Sequence, residues 1–534
     1  MNEKISSYKY LAVKHNVYPN IVLVDSSNRQ LYFHSKYNPY EEIKRLTKDI
    51  LINENDLIII LGCGAGYILE YLNGKVKFEN IIIIQKDEEL LKIIENNYFN
   101  QYLQKIKNIF TEKKKKELIN FFNQLDFTRY KKITYILHPV EYHIFNEFYS
   151  NIQKQLKDIV DSFISRELTI SKFYKIFFQN FFENLEYLQN DNCISIIKNE
   201  LKGNAGILIG AGPSLNLEIE NIKKNQNKFF IFAVDTVFDF LVDNNLNPDF
   251  VITLDPQKIS LSHFKKDKYE NTILLYEATG CSYILPKFSN RLFISTGFPL
   301  LNYLLNDDRD YFVFNEAGGS VATLTFCIME YLGIEPIILI GVDLSISSGS
   351  YSFAASYFDN HLNSLNKFNT LENFYYKDFF TSNLIKVKGN EGEVYTTYSL
   401  NEYLKWFNEK MKGIKNKTIY NTSLKGGYIK NTKIKRFSEI CEIITAEKNN
   451  EIIKEKIRNK KVRKDFKIEL KHKMLEIQNI LIKEKDWNSL ILKEKKNLDL
   501  INIILYKNKN NLNNREFQEE VITYLKEIDN KYLK

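Results

Sequence analysis

Several features that would assign a protein to a secreted, disulfide-rich or zinc-binding class are missing from this chain of 534 residues. Its five cysteines are scattered without a Cys-x-x-Cys pair, and an odd number cannot complete a set of disulfides. We therefore expect buried free thiols and a reducing cytoplasm. The seven histidines show neither the His-x-His nor the His-Glu-x-x-His spacing of a zinc site.

Targeting and membrane segments are also missing. The opening stretch MNEKISSYKYLAVKHN is charged and lacks the apolar core of a signal peptide. No apolar run approaches the roughly 18 residues that cross a bilayer, so no membrane span is expected. The formal net charge of +8 comes from 74 basic and 66 acidic residues. Because the two are nearly balanced, this charge does not indicate a nucleic-acid partner, although a basic face for a nucleotide agrees with it.

What the chain does contain is enough apolar material for sizeable cores, with 44% hydrophobic and 14% aromatic residues. Its length predicts two or three domains, and the α/β pattern suggests how they are arranged. Residues 1–150 read as an N-terminal Rossmann-like α/β domain that opens with a hairpin, and 151–202 as a helical connector. Residues 203–434 read as a Rossmann-like, doubly wound core, and 435–534 as a C-terminal helical domain without glycine or proline.

The most informative segment is Gly206-Ile-Leu-Ile-Gly-Ala-Gly-Pro-Ser-Leu215, in which an apolar strand runs into a glycine-rich turn and a helix start. Gly210 and Gly212 would let backbone amides approach a phosphate, and Ser214 is predicted to cap the new helix. The partial positive charge of a helix N-terminus favours an anion there. The alternative is a glycine-rich turn that binds nothing.

A second glycine-rich turn, Gly62–Gly66, follows the apolar strand that begins at Leu57. Asp87 follows the next strand, at a distance suited to holding a ribose. The turn resembles the nucleotide turn of S-adenosylmethionine methyltransferases. No catalytic motif of that group accompanies it, so we predict a structural or regulatory role for this turn.

Six short apolar strands alternate with helical stretches in the core, which predicts a doubly wound parallel sheet. Ligands of such sheets lie at the carboxyl ends of the strands. Polar or glycine residues end these strands and would outline a crevice: Gly210, Asp235, Asp255, Glu277, Gly297 and Asp343.

Three groups of segments in the core together resemble the motility accessory factor (Maf) flagellin glycosyltransferases, whose core is the domain of unknown function 115. In chain order they are GAGPSL with AVDT and NPDFVITLDPQ, then EAGGSVAT with LGIEPIILIGVDL, then GEVYTT with YNTSLKGG. The resemblance implies transfer of a nonulosonic acid, either pseudaminic or legionaminic acid, from its CMP-activated donor to Ser or Thr of flagellin. It also implies that the reaction takes place in the cytoplasm.

The same core is similar to bacterial sialyltransferases that use CMP-sialic acid. Their GNGPSL motif differs from this chain only at Ala211, and their GIDF with Gly-Ser-Ser-Tyr resembles Gly341–Leu344 with Gly349–Tyr351. In that family this tyrosine contacts the donor phosphate. A second tyrosine of the family is Ser345 here, so the donor contacts differ in detail.

Two asparagines that bind the nucleotide in the sialyltransferases match Asp235 and Asp255. These carboxylates leave room for a divalent cation, and no resident cofactor is otherwise indicated. The residues expected to contact the donor lie around the turn, the next two strand ends and a Gly-Gly-Ser segment: Gly210, Ala211, Gly212, Pro213, Ser214, Asp235, Thr236, Asp255, Gly318, Gly319 and Ser320.

Sugar transfer also needs a group that stabilises the leaving phosphate and a base for the acceptor hydroxyl. The resemblance implies Tyr351 for the phosphate. The base is expected to be His361, with Asp343, Asp255 and Asp359 as alternatives.

Two other functions are compatible with this core. Archaeal pterin diphosphokinases resemble it at the Gly-Pro-Ser turn, and Asp235, Asp255 and Asp343 would suit the Mg²⁺ that accompanies their ATP. A large N-terminal domain and a helical tail argue against so small a substrate as a pterin. The third interpretation is a flagellin-binding assembly factor whose nucleotide site has decayed. In the main interpretation the core holds the donor, and the outer domains recognise flagellin.

Overall fold

The structure is a computed structural model, and it describes most of the chain in two compact units, Met1–Thr169 and Ile170–Lys534. The division into four domains stays a prediction. The described residues are 8–15, 18–96, 99–306, 308, 310–315, 317–346, 365–368, 370, 373, 384–414, 417–449, 451–459, 463–483 and 515–533.

The N-terminal unit has an antiparallel sheet of three strands and a parallel sheet of four. The antiparallel strands are β1 (Tyr8–His15), β2 (Tyr18–Asp25) and β3 (Gln30–Tyr32), and the β2–β3 pair confirms the predicted hairpin. The parallel strands are β4 (Leu57–Leu61), β5 (Ile81–Gln85), β6 (Asn108–Thr111) and β7 (Ile133–Leu137), in the order β6-β5-β4-β7.

Short helices connect these strands. They are α1 (Pro39–Leu46), α2 (Tyr67–Leu72), α3 (Glu88–Glu95), α4 (Asn100–Leu103), α5 (Lys115–Gln124) and α6 (Pro139–Ile144). The helix α7 (Asn146–Glu183) and the short α8 (Leu185–Asn190) follow, which agrees with the predicted helical stretch.

The C-terminal unit is built on a sheet of nine parallel strands. They are β8 (Asn192–Cys193), β9 (Gly206–Ile209), β10 (Phe230–Val234), β11 (Phe250–Thr253), β12 (Tyr269–Glu277), β13 (Phe288–Ile294), β14 (Ile337–Ile340), β17 (Ile419–Asn421) and β18 (Lys433–Ile434). Their order is β18-β17-β14-β9-β10-β11-β12-β13-β8. A separate antiparallel hairpin joins β15 (Ile385–Lys388) to β16 (Glu393–Thr396).

Helices flank this sheet, as the α/β prediction required. They are α9 (Ile219–Asn225), α10 (Asp235–Asp243), α11 (Pro299–Leu305), α12 (Val321–Leu332) and α13 (Tyr398–Gly413). The central strands are apolar and buried along their whole length, because parallel strands covered on both faces cannot alternate polar and apolar residues. All six strands predicted for the core are present.

The described tail is helical, as predicted, with α14 (Phe437–Ile443), α15 (Glu451–Arg458), α16 (Phe466–Lys483) and α17 (Arg515–Tyr532). All five cysteines are buried and free, in agreement with the sequence-based expectation. In the described part of the chain, no helix combines the length and the apolarity needed to cross a bilayer.

Candidate functional site

The order of the strands locates the candidate site. The chain runs outward from β9 through β10, β11, β12 and β13, and then returns to place β14 on the other side of β9. The direction of winding therefore reverses between β9 and β14, and the carboxyl ends of parallel strands at such a reversal form a crevice. The six polar or glycine residues expected to outline a crevice all lie at or just after the carboxyl ends of strands of this sheet, at the same edge.

Asp343 and Ser214 join the two sides of the reversal. The Ser214 hydroxyl donates to Asp343 Oδ1 over 2.5 Å, and the Ser214 backbone N–H donates to Oδ2 over 2.8 Å. Asp343 is 3% exposed, whereas Ser214 is half-buried. Both carboxylate oxygens are thus engaged by one residue, and Asp343 is placed to orient the turn beneath the crevice.

The glycines of this turn are required by the neighbouring strand. A Cβ at Gly210 would lie 2.5 Å from the Gly341 carbonyl oxygen, and a Cβ at Gly212 would lie 2.7 Å from the same oxygen and from Asp343 Oδ2. Conversely, a Cβ at Gly341 would lie 2.3 Å from the Gly210 carbonyl oxygen. The close approach that the glycines allow is therefore, first of all, an approach between two stretches of backbone.

Most amides of the turn donate within the protein. Gly210 N–H donates to the Ile340 carbonyl and Gly212 N–H to the Gly341 carbonyl, each over 2.8 Å. The prediction that Ser214 caps a helix is wrong: a 3₁₀ helix covers Pro213–Leu217, and its N-cap position is Gly212. The Ser214 hydroxyl is drawn instead to the buried carboxylate of Asp343. Ala211, Pro213 and Ser214 remain partly exposed at the crevice.

The segment YNTSLKGG reaches the same point from β17. Gly427 N–H donates to the Asp343 carbonyl oxygen over 2.8 Å, and a Cβ at Gly426 would lie 2.8 Å from that oxygen. Asp343, which belongs to the second group of segments on which the resemblance rests, therefore contacts parts of the first and third groups.

Asp235 begins α10 at the end of β10 and is buried. Its carboxylate accepts hydrogen bonds from the Thr236 N–H over 2.8 Å and the Thr253 hydroxyl over 3.0 Å. Burial raises the pKa of Asp235 to about 6, partly opposed by these bonds, and the charge of Asp255 raises the pKa further. The structure thus brings Asp235 and Asp255 near each other, as their positions at adjacent strand ends predict.

Asp255 is half-buried, and its Oδ1 accepts the Gln257 N–H over 2.8 Å. His263 ends the 3₁₀ helix Lys258–His263, which follows the same loop. Burial lowers the pKa of His263, and the charge of Asp255 acts in the opposite direction. Nothing in the sequence marked His263, because its distance from Asp255 depends on how the loop folds.

The Gly318-Gly319-Ser320 segment forms the entry to α12. Both glycines have left-handed backbone, with φ of 68° and 78°. Ser320 caps α12, since its hydroxyl accepts the Thr323 N–H while Thr323 Oγ1 accepts the Ser320 N–H, each over 3.1 Å. A Cβ at Gly318 would lie 2.8 Å from Trp406, a neighbour that nothing in the sequence indicated. These contacts show a helix entry; donor binding by this segment stays a prediction.

Glu277 ends β12 at the same edge of the sheet. Its Oε2 accepts the Thr296 N–H over 2.9 Å, and among the described residues its buried Oε1 has no hydrogen-bond partner. Burial raises the pKa of Glu277 to about 7. Three residues predicted to be catalytic candidates, Tyr351, Asp359 and His361, lie outside the described residues.

The other glycine-rich turn, Gly62–Gly66, is filled by side chains of its own unit. A Cβ at Gly64 would lie 2.3 Å from His34 Nε2 and 2.6 Å from His138 Nε2, and one at Gly62 would lie 2.8 Å from Glu141. Asp87, the expected ribose ligand, accepts hydrogen bonds from the Tyr8 and Tyr10 hydroxyls. The space above the turn is thus occupied, which favours the predicted structural role.

His34, Glu42 and His138 are the group of potential metal ligands that comes together among the described residues; Asp235, Asp255 and Asp343 do not form one. His34 Nε2 accepts the Ala65 N–H over 2.9 Å, and His138 Nδ1 accepts the Glu141 N–H over 3.2 Å. Each neutral ring therefore carries its proton on the other nitrogen, where a metal would have to bind. Burial, followed by the nearby His34, lowers the pKa of His138, so this ring stays neutral. The donor set does not fit a metal.

Part of the C-terminal unit matches a known protein family. Residues 179–349 match the family described as 6-hydroxymethylpterin diphosphokinase MptE-like. Two uncharacterized proteins of Treponema pallidum (strain Nichols) are similar to parts of the chain. One is 39% identical over 88 residues, which is 16% of this chain and 41% of that protein. The other is 20% identical over 233 residues, 43% of this chain and 40% of that protein. The chain thus spans about two fifths of the length of the curated relatives it matches.

Comparison with solved structures gives a match over nearly the whole chain. The structure of MAf glycosyltransferase from Magnetospirillum magneticum AMB-1 superposes with a TM-score of 0.58. The match covers 98% of this chain and 87% of that one, at 13% sequence identity. At this identity the likeness establishes a common fold: a mixed α/β architecture with parallel sheets, flanking helices and a helical C-terminal region.

Proposed function

We propose that this protein is a glycosyltransferase that moves a nonulosonic acid from its CMP-activated donor to Ser or Thr of flagellin in the cytoplasm. The observation that carries the proposal is the assembly at the winding reversal, where Asp343 of the second group of Maf-like segments contacts parts of the first and third groups. The fold shared with a MAf glycosyltransferase over 98% of the chain supports the same class of reaction. Pseudaminic and legionaminic acid are the proposed sugars.

In this proposal the donor lies across the carboxyl ends of β9 and β10. Ser214 and Ala211 lie at the crevice, and Asp343 holds Ser214 in place through two hydrogen bonds. Tyr351 would donate to the leaving phosphate, where a hydrogen bond that strengthens with developing charge lowers the barrier. His361 or an aspartate would take the proton of the acceptor hydroxyl.

A divalent cation would be held by Asp255 together with phosphate oxygens of the donor, because Asp235, Asp255 and Asp343 do not come together as a group of ligands. Carboxylate oxygens are the ligands that Mg²⁺ prefers, and a bound cation would offset the repulsion between Asp255 and the nearby Asp235. Such an ion would neutralise phosphate charge in the donor. The same pair suits the second candidate, transfer of diphosphate from ATP, which the family match over residues 179–349 favours.

Two measurements test the proposal. Calorimetric titration should show that CMP binds more tightly than ATP, with and without Mg²⁺. Incubation of the full chain with a CMP-nonulosonate and flagellin should raise the intact mass of flagellin by whole nonulosonic acid residues, and Tyr351→Phe should slow that transfer by roughly 10²-fold or more.

Tight ATP binding, together with diphosphate transfer to a hydroxymethylpterin, would establish the second candidate instead. Flagellin binding without any binding of CMP would support the decayed assembly factor.

A further inference from the structure

Helix α16 (Phe466–Lys483) has apolar residues on two opposite faces. Its inner face packs within the C-terminal unit, against α8, α11 and α17, through Phe466, Leu470, Met474, Ile477 and Leu481. Its outer face carries Ile468, Leu475 and Ile482, which are 56%, 42% and 56% exposed. The second face is not needed to anchor the helix, since the inner face already does so.

The outer residues follow one another at intervals of seven. Seven residues make nearly two full turns of an α-helix, so the three side chains form one stripe with steps of about 10.5 Å. A single exposed leucine requires no explanation. Three large apolar side chains in register on one face form a seam of the kind into which a second helix packs.

Positive charge borders this stripe. Lys467, Lys471 and Lys483 are exposed, and within the described part of the chain none of the three forms an ion pair. Two other lysines of this region are paired: Lys464 lies 3.6 Å from Glu469, and Lys473, which is buried on the opposite side of the helix, lies 2.9 Å from Glu476. The unpaired ammonium groups would complement carboxylates that flank an apolar seam on a partner.

We propose that the stripe of Ile468, Leu475 and Ile482, with its three lysines, docks an amphipathic helix of the acceptor protein whose apolar seam is flanked by carboxylates. The inference rests on the proposed function, because it identifies that helix as part of flagellin. A serine or threonine side chain has too few atoms to distinguish one protein from another, so the transferase needs a separate surface that holds the acceptor.

The test compares matched triple and double variants of the full chain. Ile468→Ser, Leu475→Ser and Ile482→Ser combined should weaken flagellin binding by about tenfold or more, since apolar anchors dominate such interfaces. Tyr398→Ser combined with Ile434→Ser removes comparably exposed apolar side chains, 61% and 37% exposed, from the core and outside the domains expected to recognise flagellin, and should leave flagellin binding unchanged. Thermal unfolding and CMP affinity, measured on both, should stay at the wild-type values.

A second variant tests the charge. Lys467→Glu, Lys471→Glu and Lys483→Glu combined should also weaken flagellin binding, and added salt should weaken binding of the wild type more than that of this variant. Because these three lysines are exposed, their replacement leaves the packing of the inner face of α16 intact.

The outcomes separate the docking surface from the reaction. If the triple serine variant binds flagellin with normal affinity and still transfers the sugar, the docking surface is overturned and the proposed function stands. The wild type could form a dimer that the serine changes convert to a monomer. It could also bind anionic phosphatidylserine vesicles in a way that the serine changes abolish. Either result would assign the stripe to another partner and overturn the inference. A wild type that neither binds nor modifies flagellin would overturn the proposed function and this partner together.

Discussion

The two glycine-rich turns of this protein have the same sequence pattern and opposite surroundings. At Gly62–Gly66, side chains from elsewhere in the N-terminal unit occupy the space above the turn, with His34 and His138 over Gly64. At Gly210–Ser214, the glycines are pressed against the backbone at the end of β14, and the crevice side stays partly exposed. A glycine-rich strand-to-helix turn therefore shows only that something approaches the backbone closely; the fold decides whether that is a ligand or the protein itself.

The difference is also one of polar contacts. Above the first turn, Glu141 accepts hydrogen bonds from Gly64 N–H, Gln85 and the Tyr149 hydroxyl, and it is fully buried. Below the second turn, Asp343 holds Ser214 from inside and leaves that residue half-buried at the edge of the sheet. The contacts of Glu141 therefore fill the space at the first turn, whereas those of Asp343 hold the second turn in place and leave its outer side accessible.

The largest effect is expected from a methyl group at the filled turn. Gly64→Ala places a Cβ against two imidazoles at a residue with φ of 55°, so strain and overpacking should together cost about 3–4 kcal/mol. The control is Gly74→Ala, because Gly74 has φ of 78° and nothing within 4 Å of its Cβ, and should cost about 1 kcal/mol. Urea unfolding of the full chain measures both, and equal losses would show that the turn is not filled.

The second prediction concerns Gly212, whose φ of −72° suits any residue. Gly212→Val should weaken CMP binding by about 50-fold, because the new side chain displaces Asp343 and the turn it supports. Gly413→Val is the control, since a Cβ there meets nothing within 4 Å. Calorimetric titration of folded variants decides the matter; unchanged affinity at Gly212→Val would place the nucleotide elsewhere.

The third prediction compares the two units through their buried glutamates. Burial raises the pKa of both Glu141 and Glu277 to about 7, whereas an unfolded glutamate titrates near 4.5. The unfolded chain therefore loses these protons first, and the free energy of unfolding should fall as pH rises from about 4.5 to 7. Below that window both states are protonated, and above it the slope from these groups ends.

Glu277→Gln should remove roughly 3 kcal/mol of this decline, since the amide stays neutral at every pH. Among the described residues no hydrogen-bond donor faces Glu277 Oε1, so the amide nitrogen of the new glutamine can occupy that position. At Glu141 the same change sets an amide N–H against a donor, so Glu141→Gln should lower stability throughout. Urea unfolding at a series of pH values measures both; an unchanged slope in Glu277→Gln would refute the raised pKa.

The smallest effect is expected at Ser214. Ser214→Ala keeps the backbone N–H bond to Asp343 and loses the hydroxyl bond, which should cost about 1 kcal/mol of stability and a few-fold in CMP affinity. In an Asp343→Asn background the same change should cost a different amount, because the two residues share one interaction. Additive losses in this double-mutant cycle would mean that the pair does not act as a unit.

Features that depend on residues close together in the chain could be predicted from the sequence, whereas features that depend on distant residues could not. The strands of the core, such as Gly206–Ile209 and Ile337–Ile340, were predicted correctly, because a run of buried apolar residues between turn residues is a local signal. The helix cap at Ser214 was predicted wrongly, because a carboxylate 129 residues away competes for its hydroxyl. Nothing in the sequence indicated that Trp406 lies against Gly318.

By itself the sequence determined the parallel α/β core, the helical tail and the edge of the sheet at which Asp235, Asp255 and Asp343 gather, since each follows from residues adjacent in the chain. Only the tertiary structure decided which of two similar turns is filled, and that Asp343 joins its own group of segments to two distant ones. Those outcomes depend on contacts between residues far apart in the chain, and no local sequence pattern shows which of these residues will meet.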